Sequence, residues 1–150
     1  MVGTTTEARD DGEPVGVGHE FPATRFRIKA TKVQEFLRAV GVEPSDGYIV
    51  EVGAPVPLGY LMYVVAYGAE PVHNALQMDM LKSVYGGAEY DLREPVHVGD
   101  EVEVRTRVSG ATSKEGSSGR LTIYELTTEY VRPEDQAVLL VETSTTVERG

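Results

Sequence analysis

Apolar residues at Val33, Phe36, Leu37 and Val40 fall at i, i+3, i+4 and i+7, which predicts one buried face of an amphipathic helix. Thr31 with Gln34 three residues on has capping-box spacing, so the helix is expected to start at Thr31. Gly41 supplies a left-handed C-cap. A short strand, Thr24 to Ile28, leads into it. Glu43 to Gly53, with Pro44, Ser45, Asp46 and Gly47, reads as loop. From Leu58 to Tyr67 the residues are apolar or aromatic on every side. Periodicity there fits a helix buried nearly all round or a buried strand. Pro55 and Pro57 before it suit a first helical turn and favour the helix. Tyr60, Tyr63 and Tyr67 would share one face of it, where packing explains them more simply than a substrate role. Glu70 to Met80 is mixed and reads as loop with a helical turn.

After Leu81 the period changes to two. Leu81 to Tyr90 reads as a strand interrupted at Gly86-Gly87, a bulge or a close backbone approach. Glu101 to Val108 alternates, with Val102, Val104, Thr106 and Val108 on one face and Glu101, Glu103, Arg105 and Arg107 on the other. Ser109 to Gly119 reads as a polar turn region, Leu121 to Val131 as the next strand, Arg132 to Asp135 as a turn and Ala137 to Val147 as the last strand. The last three strands form an antiparallel meander. One sheet, one very apolar helix and one amphipathic helix make a two-layer α+β domain. The domain is expected to span residues 21–150, after a flexible tail at 1–20 too poor in apolar residues to order itself.

Charge narrows the partners. The chain carries 24 acidic and 14 basic residues, a net charge of −10, which opposes nucleic acid and anionic lipid. There are no cysteines, so disulfides and thiolate metal sites are excluded. No run approaches the roughly 20 apolar residues of a membrane span, and the acidic start lacks a signal-peptide pattern. A cytoplasmic location is expected. His19, His73 and His97 have no neighbours at metal-ligand spacing, so no metal is expected.

Three segments, in this order, resemble the MaoC-like hydratase/dehydratase superfamily, which has the hot-dog fold: a curved antiparallel sheet wrapped around a central buried helix. They are Lys32 to Gly41, Ala54-Pro55-Val56-Pro57, and Tyr85-Gly86-Gly87-Ala88-Glu89-Tyr90 running on to Arg93-Glu94-Pro95-Val96-His97-Val98-Gly99-Asp100. The resemblance covers roughly Gly18 to Val147 and is nearest to the N-terminal-half, non-catalytic-subunit type. It implies (R)-specific enoyl-thioester hydration or 3-hydroxyacyl-thioester dehydration, with no cofactor beyond the coenzyme A or acyl carrier protein of the substrate. Active members take an Asp and a His from an Asp-x-Asn-Pro-x-His segment before the buried helix. The corresponding stretch here, Val42 to Val52, offers only Asp46, with no histidine or asparagine after it. Tyr85 also stands where a histidine often precedes the glycine.

The expectation is therefore a half that shapes the acyl tunnel beside a catalytic hot-dog partner, as a heterodimer, or else a homodimer. Substrate contacts are expected at Val56, Leu58, Gly59, Tyr63, Gly86 and Gly87, with backbone N–H groups at Val56, Leu58 and Gly59 facing the thioester oxygen. The alternatives are an acyl-coenzyme A thioesterase using Asp46 or Glu51 to activate water, and a non-enzymatic acyl-thioester-binding module. Coenzyme A would need a basic patch at Lys82, Arg93, Arg105 or Arg107, or a more basic partner.

Overall fold

A computed structural model describes residues 15–43, 49–61, 76, 78, 79 and 81–150. Its elements are β1 (Thr24–Arg27), α1 (Ala30–Ala39), β2 (Ser83–Leu92), β3 (Glu101–Gly116), β4 (Gly119–Val131) and β5 (Val138–Arg149). The strands form one antiparallel sheet in the order β1-β3-β4-β5-β2. The meander β3-β4-β5 is its centre, and β1 and β2 are its edges.

The expected alternation in β3 holds. Val102 and Val108 are fully buried, and their face continues in register through Tyr130 on β4 and Leu140 on β5. Against this inner face pack Val33 and Leu37 of α1, Ile28, Val96, Val98, Tyr60 and Leu61. Residues 58–61 are helical, and the Tyr130 hydroxyl donates to the Leu61 carbonyl at 3.4 Å. The first turn of the apolar segment thus sits on the inner face of the sheet as a helix; the remainder of Leu58 to Tyr67 lies outside the described residues, as does most of Glu70 to Met80.

Three boundaries differ from expectation. The helix α1 begins at Ala30 rather than after a Thr31 cap, with extended Lys29 as N-cap and no side-chain cap bond. Ile28 sets this junction: it is buried, and its backbone pairs with Asp100 and Gly99 at 2.9 and 2.8 Å, so the chain cannot turn helical before residue 29. Ser109 to Gly119 is not a turn region. The β3–β4 ladder runs through a bulge at Val108/Gly110 to Gly116 opposite Gly119. The β3 arm of that distal hairpin, residues 111–116, is exposed and almost wholly polar, so period two leaves no trace in its sequence. Residues 15–20, expected in the tail, instead extend the β1 edge: Gly18 N–H donates to Val108 O, Val108 N–H to His19 O and Phe21 N–H to Thr106 O. Val15 and Phe21 there form a second small core with Leu76, Met78 and Val108.

Candidate functional site

Residues 53–56, which precede the helix mouth, are strapped to 96–98. Val56 N–H donates to Val96 O and Val98 N–H to Ala54 O, both at 2.8 Å, and Gly53 N–H to Val98 O at 2.9 Å. The Val56 amide, expected to face a thioester, is therefore spent on Val96. Leu58 and Gly59 open the helical turn, where N–H groups have no intrahelical acceptor. Gly59 is also a packing residue: a Cβ there would lie 3.0 Å from Cζ of Phe36, whose ring meets Tyr60 edge to face at 6.0 Å. Asp46, Tyr63 and His73 lie outside the described residues. Glu51 is exposed in the loop before the mouth.

One imidazole and one carboxylate do lie close together: His97 Nδ1 is 3.8 Å from Asp100 Oδ2. They face away from the core. Val96 and Val98 are 3% and 2% exposed on the inner side, and alternation across the Pro55–His97 bridge turns His97 outward. Asp100 caps the turn there, accepting the His97 N–H at 2.9 Å. His19 packs edge to face on Phe21 at 4.9 Å, far along the β1 edge, with its Nε2 buried and unpartnered.

Gly86 is the extra residue of a β-bulge, at the register shift between Tyr85 and Gly87. A Cβ at Gly86 would sit 2.7 Å from Thr145 Oγ1, and Gly87 has φ +138°. Both glycines are thus required by the backbone. The bulge has a second effect. Tyr85 and Tyr90 are five residues apart and would face opposite ways in a regular strand. With Gly86 inserted they pair with Thr146 and Glu142, which share the inner face of β5.

That face is polar. Glu142, Ser144, Thr146 and Thr128 are all buried. Burial pushes the Glu142 carboxyl above the usual carboxylate range, against a hydrogen bond with Tyr90 that works the other way. Tyr85 and Tyr90 lie close enough to Glu142 for its charge to act on both phenols. Burial, reinforced by the Glu142 charge, raises the phenols of Tyr90, Tyr130 and Tyr85. Sequence reasoning missed this cluster. Leu140, Glu142, Ser144 and Thr146 alternate with Val141, Thr143, Thr145 and Val147, so period two within β5 gives no sign of which set faces inward.

The outer face is ionic. Glu103 accepts from Arg25 and Arg105, each at 2.7 Å, and these two hydrogen bonds hold its carboxyl below the usual range. A cleft of about 490 Å³ is lined by Glu20, Phe21, Arg105, Arg107 and Glu129 among others. Its two arginines are balanced by two glutamates, and Lys82 and Arg93 stand at opposite ends of β2. The four basic residues do not gather into one patch. Among the described residues, no group of three His, Asp or Glu side chains could hold a metal, and no helix is long and apolar enough to cross a membrane.

The model of the FAS1-like dehydratase domain region matches residues 16–141. The chain belongs to this family. Solved structures share its hot-dog fold. The C-terminally truncated HadBC (3R-hydroxyacyl-ACP dehydratase) complex from Mycobacterium tuberculosis aligns with a TM-score of 0.64 at 16% identity, over 85% of this chain and 92% of that one. The (R)-hydratase from A. caviae involved in PHA biosynthesis aligns at 0.60 and 19%, over 91% and 98%. HtdX from M. tuberculosis aligns at 0.62 and 16% over 87% of this chain, which spans only 49% of that protein. No curated protein matches the chain by sequence. The expected hot-dog architecture is thus present.

Proposed function

We propose that the chain is the tunnel-shaping half of an (R)-specific enoyl-thioester hydratase or 3-hydroxyacyl-thioester dehydratase, working beside a hot-dog subunit that carries the Asp and His. The observation that carries this reading is the helix mouth. Among the described residues no imidazole faces a carboxylate there, and the one such pair, His97 with Asp100, points outward. Moving a proton to carbon and a hydroxyl to its neighbour needs both groups converging on one water. The first-turn amides of Leu58 and Gly59 remain suited to a thioester oxygen, where enolate charge develops.

The strand β2 supports a partner. Among the described residues it is the outer strand beside β5, with Leu81, Val84, Tyr85 and Leu92 exposed along it, and such an edge is a template for pairing. A second hot-dog chain would continue the sheet. A more basic partner would also supply the attraction for coenzyme A or acyl carrier protein that this acidic chain lacks.

The test is hydration of crotonyl-coenzyme A, followed by loss of the enoyl absorbance. The purified chain alone is expected to be inactive, and a mixture with a hot-dog subunit bearing Asp-x-Asn-Pro-x-His to be active. Robust hydration by the chain alone refutes the assignment; hydrolysis of the thioester without hydration points instead to the thioesterase.

A further inference from the structure

The negative charge of the chain is unevenly spread. Between Phe21 and Val42 stand five of its 14 basic residues, Arg25, Arg27, Lys29, Lys32 and Arg38, and one of its 24 acids, Glu35. That run is +4 within a chain of −10. Folding keeps it at the surface. Arg25 and Arg27 are exposed on the outer side of β1, and Lys29 is the exposed N-cap of α1. Lys32 and Arg38 are exposed on α1, away from its buried Val33 and Leu37. Glu103 and Glu101 partly neutralise Arg25 and Arg27, at 2.7 and 3.6 Å, and Glu35 lies 3.0 Å from Lys32. No ion pair among the described residues uses Lys29 or Arg38.

This face borders the helix mouth. Lys32 lies one turn before Phe36, whose ring covers Gly59 and meets Tyr60. Ile28, next to Lys29, is hydrogen-bonded to Gly99 and Asp100, directly after the residues that hold the 53–56 strap. We propose that the β1–α1 face docks the acidic surface of a carrier protein, which presents its acyl thioester to the mouth. The spacing of the cations favours a protein over coenzyme A. Lys29 and Arg38 are nine residues apart, about 14 Å along a helix. The phosphates of one nucleotide need donors that converge on them, whereas cations set apart along a helix match an extended acidic surface. Val40, at the end of α1, and Leu58, at the mouth, are 58% and 39% exposed, and apolar groups rimmed by charge suit contact with a protein. A basic hot-dog partner adds long-range attraction, and this face decides where the carrier lands.

This inference rests on the thioester reading, and two measurements separate them. The first is calorimetric titration of the full chain with an acyl carrier protein in its apo form, which has no pantetheine arm. Binding is expected at low salt and is expected to fade as salt screens the charges. K29E/R38E is expected to weaken it about tenfold and K29Q/R38Q less. K114E/R120E, the same charge change on the exposed distal hairpin, is expected to leave it unchanged. The second measurement is hydration by the chain mixed with its hot-dog partner. K29E/R38E is expected to raise KM about tenfold for the crotonyl carrier protein, with kcat unchanged and both constants for crotonyl-coenzyme A unchanged. Failure of the apo carrier to bind, an equal loss in the hairpin variant, or an unchanged KM in K29E/R38E overturns the docking face; hydration of crotonyl-coenzyme A by the mixture then still upholds the thioester reading. Carrier binding that K29E/R38E weakens, with hydration of neither thioester, sinks that reading and leaves the docking face.

Discussion

Gly59 shows how one missing side chain positions the site. The Phe36 ring occupies the space above it, 3.0 Å from where a Cβ would be, and so clamps α1 to the first turn of the buried helix. Gly59→Val forces that ring out of a packed core and is expected to destabilise the fold by about 1–3 kcal/mol, measured by urea denaturation. Gly59 was legible in the sequence as a helix-mouth residue, but its role was read as substrate contact. Contact with Phe36 joins residues 23 apart in sequence, and no local pattern records it. Gly86 was read more fully, because a paired glycine inside a strand already signals a bulge. What the bulge does to Tyr85 follows only once the partner strand is known.

At the scale of elements, α1 ends in a Schellman motif. Val42 N–H donates to Leu37 O at 2.8 Å and Gly41 N–H to Arg38 O at 3.1 Å, with Gly41 at φ +87°. Gly41→Ala places a Cβ in the left-handed region and is expected to cost about 1 kcal/mol, read as a lower midpoint in the same denaturation series. This end of the helix was legible because glycine after a 3.6-period run is a strong stop signal. The start was not. A Thr with a Gln three residues on satisfies the capping pattern, yet Ile28 is held in β-like pairing with Gly99 and Asp100, and that long-range pairing decides where the helix begins.

At the scale of the whole molecule, two buried acids on opposite faces of the sheet give stability a two-sided dependence on pH. Glu103 is depressed by its arginines. Its contribution is present above the unfolded carboxylate value of about 4.3 and is lost as pH falls through the lower folded value. Glu142 is raised by burial. Between about 4.3 and its higher folded value the unfolded chain has released the proton and the folded chain has not, so stability falls as pH rises. E142Q removes the second effect. Its melting temperature is expected to exceed the wild type at neutral pH and to converge with it below about pH 4, as followed by circular dichroism. A constant difference across that range would mean that Glu142 does not titrate on folding. The resemblance carried by Lys32 to Gly41, Ala54 to Pro57 and Tyr85 to Asp100 implied the hot-dog fold, and the solved structures agree with that fold.

Sequence alone determined the periods, 3.6 in α1 and two in the valine face of β3, because those patterns depend only on neighbours a few residues away. It also determined the negative charge and the lack of a histidine beside Asp46. Tertiary structure decided which face of β5 turns inward, that the Val56 amide is taken by Val96, and that Tyr85, Tyr90 and Glu142 share one face. Each of these depends on register between strands distant along the chain, and register is set by how the whole sheet closes over its core.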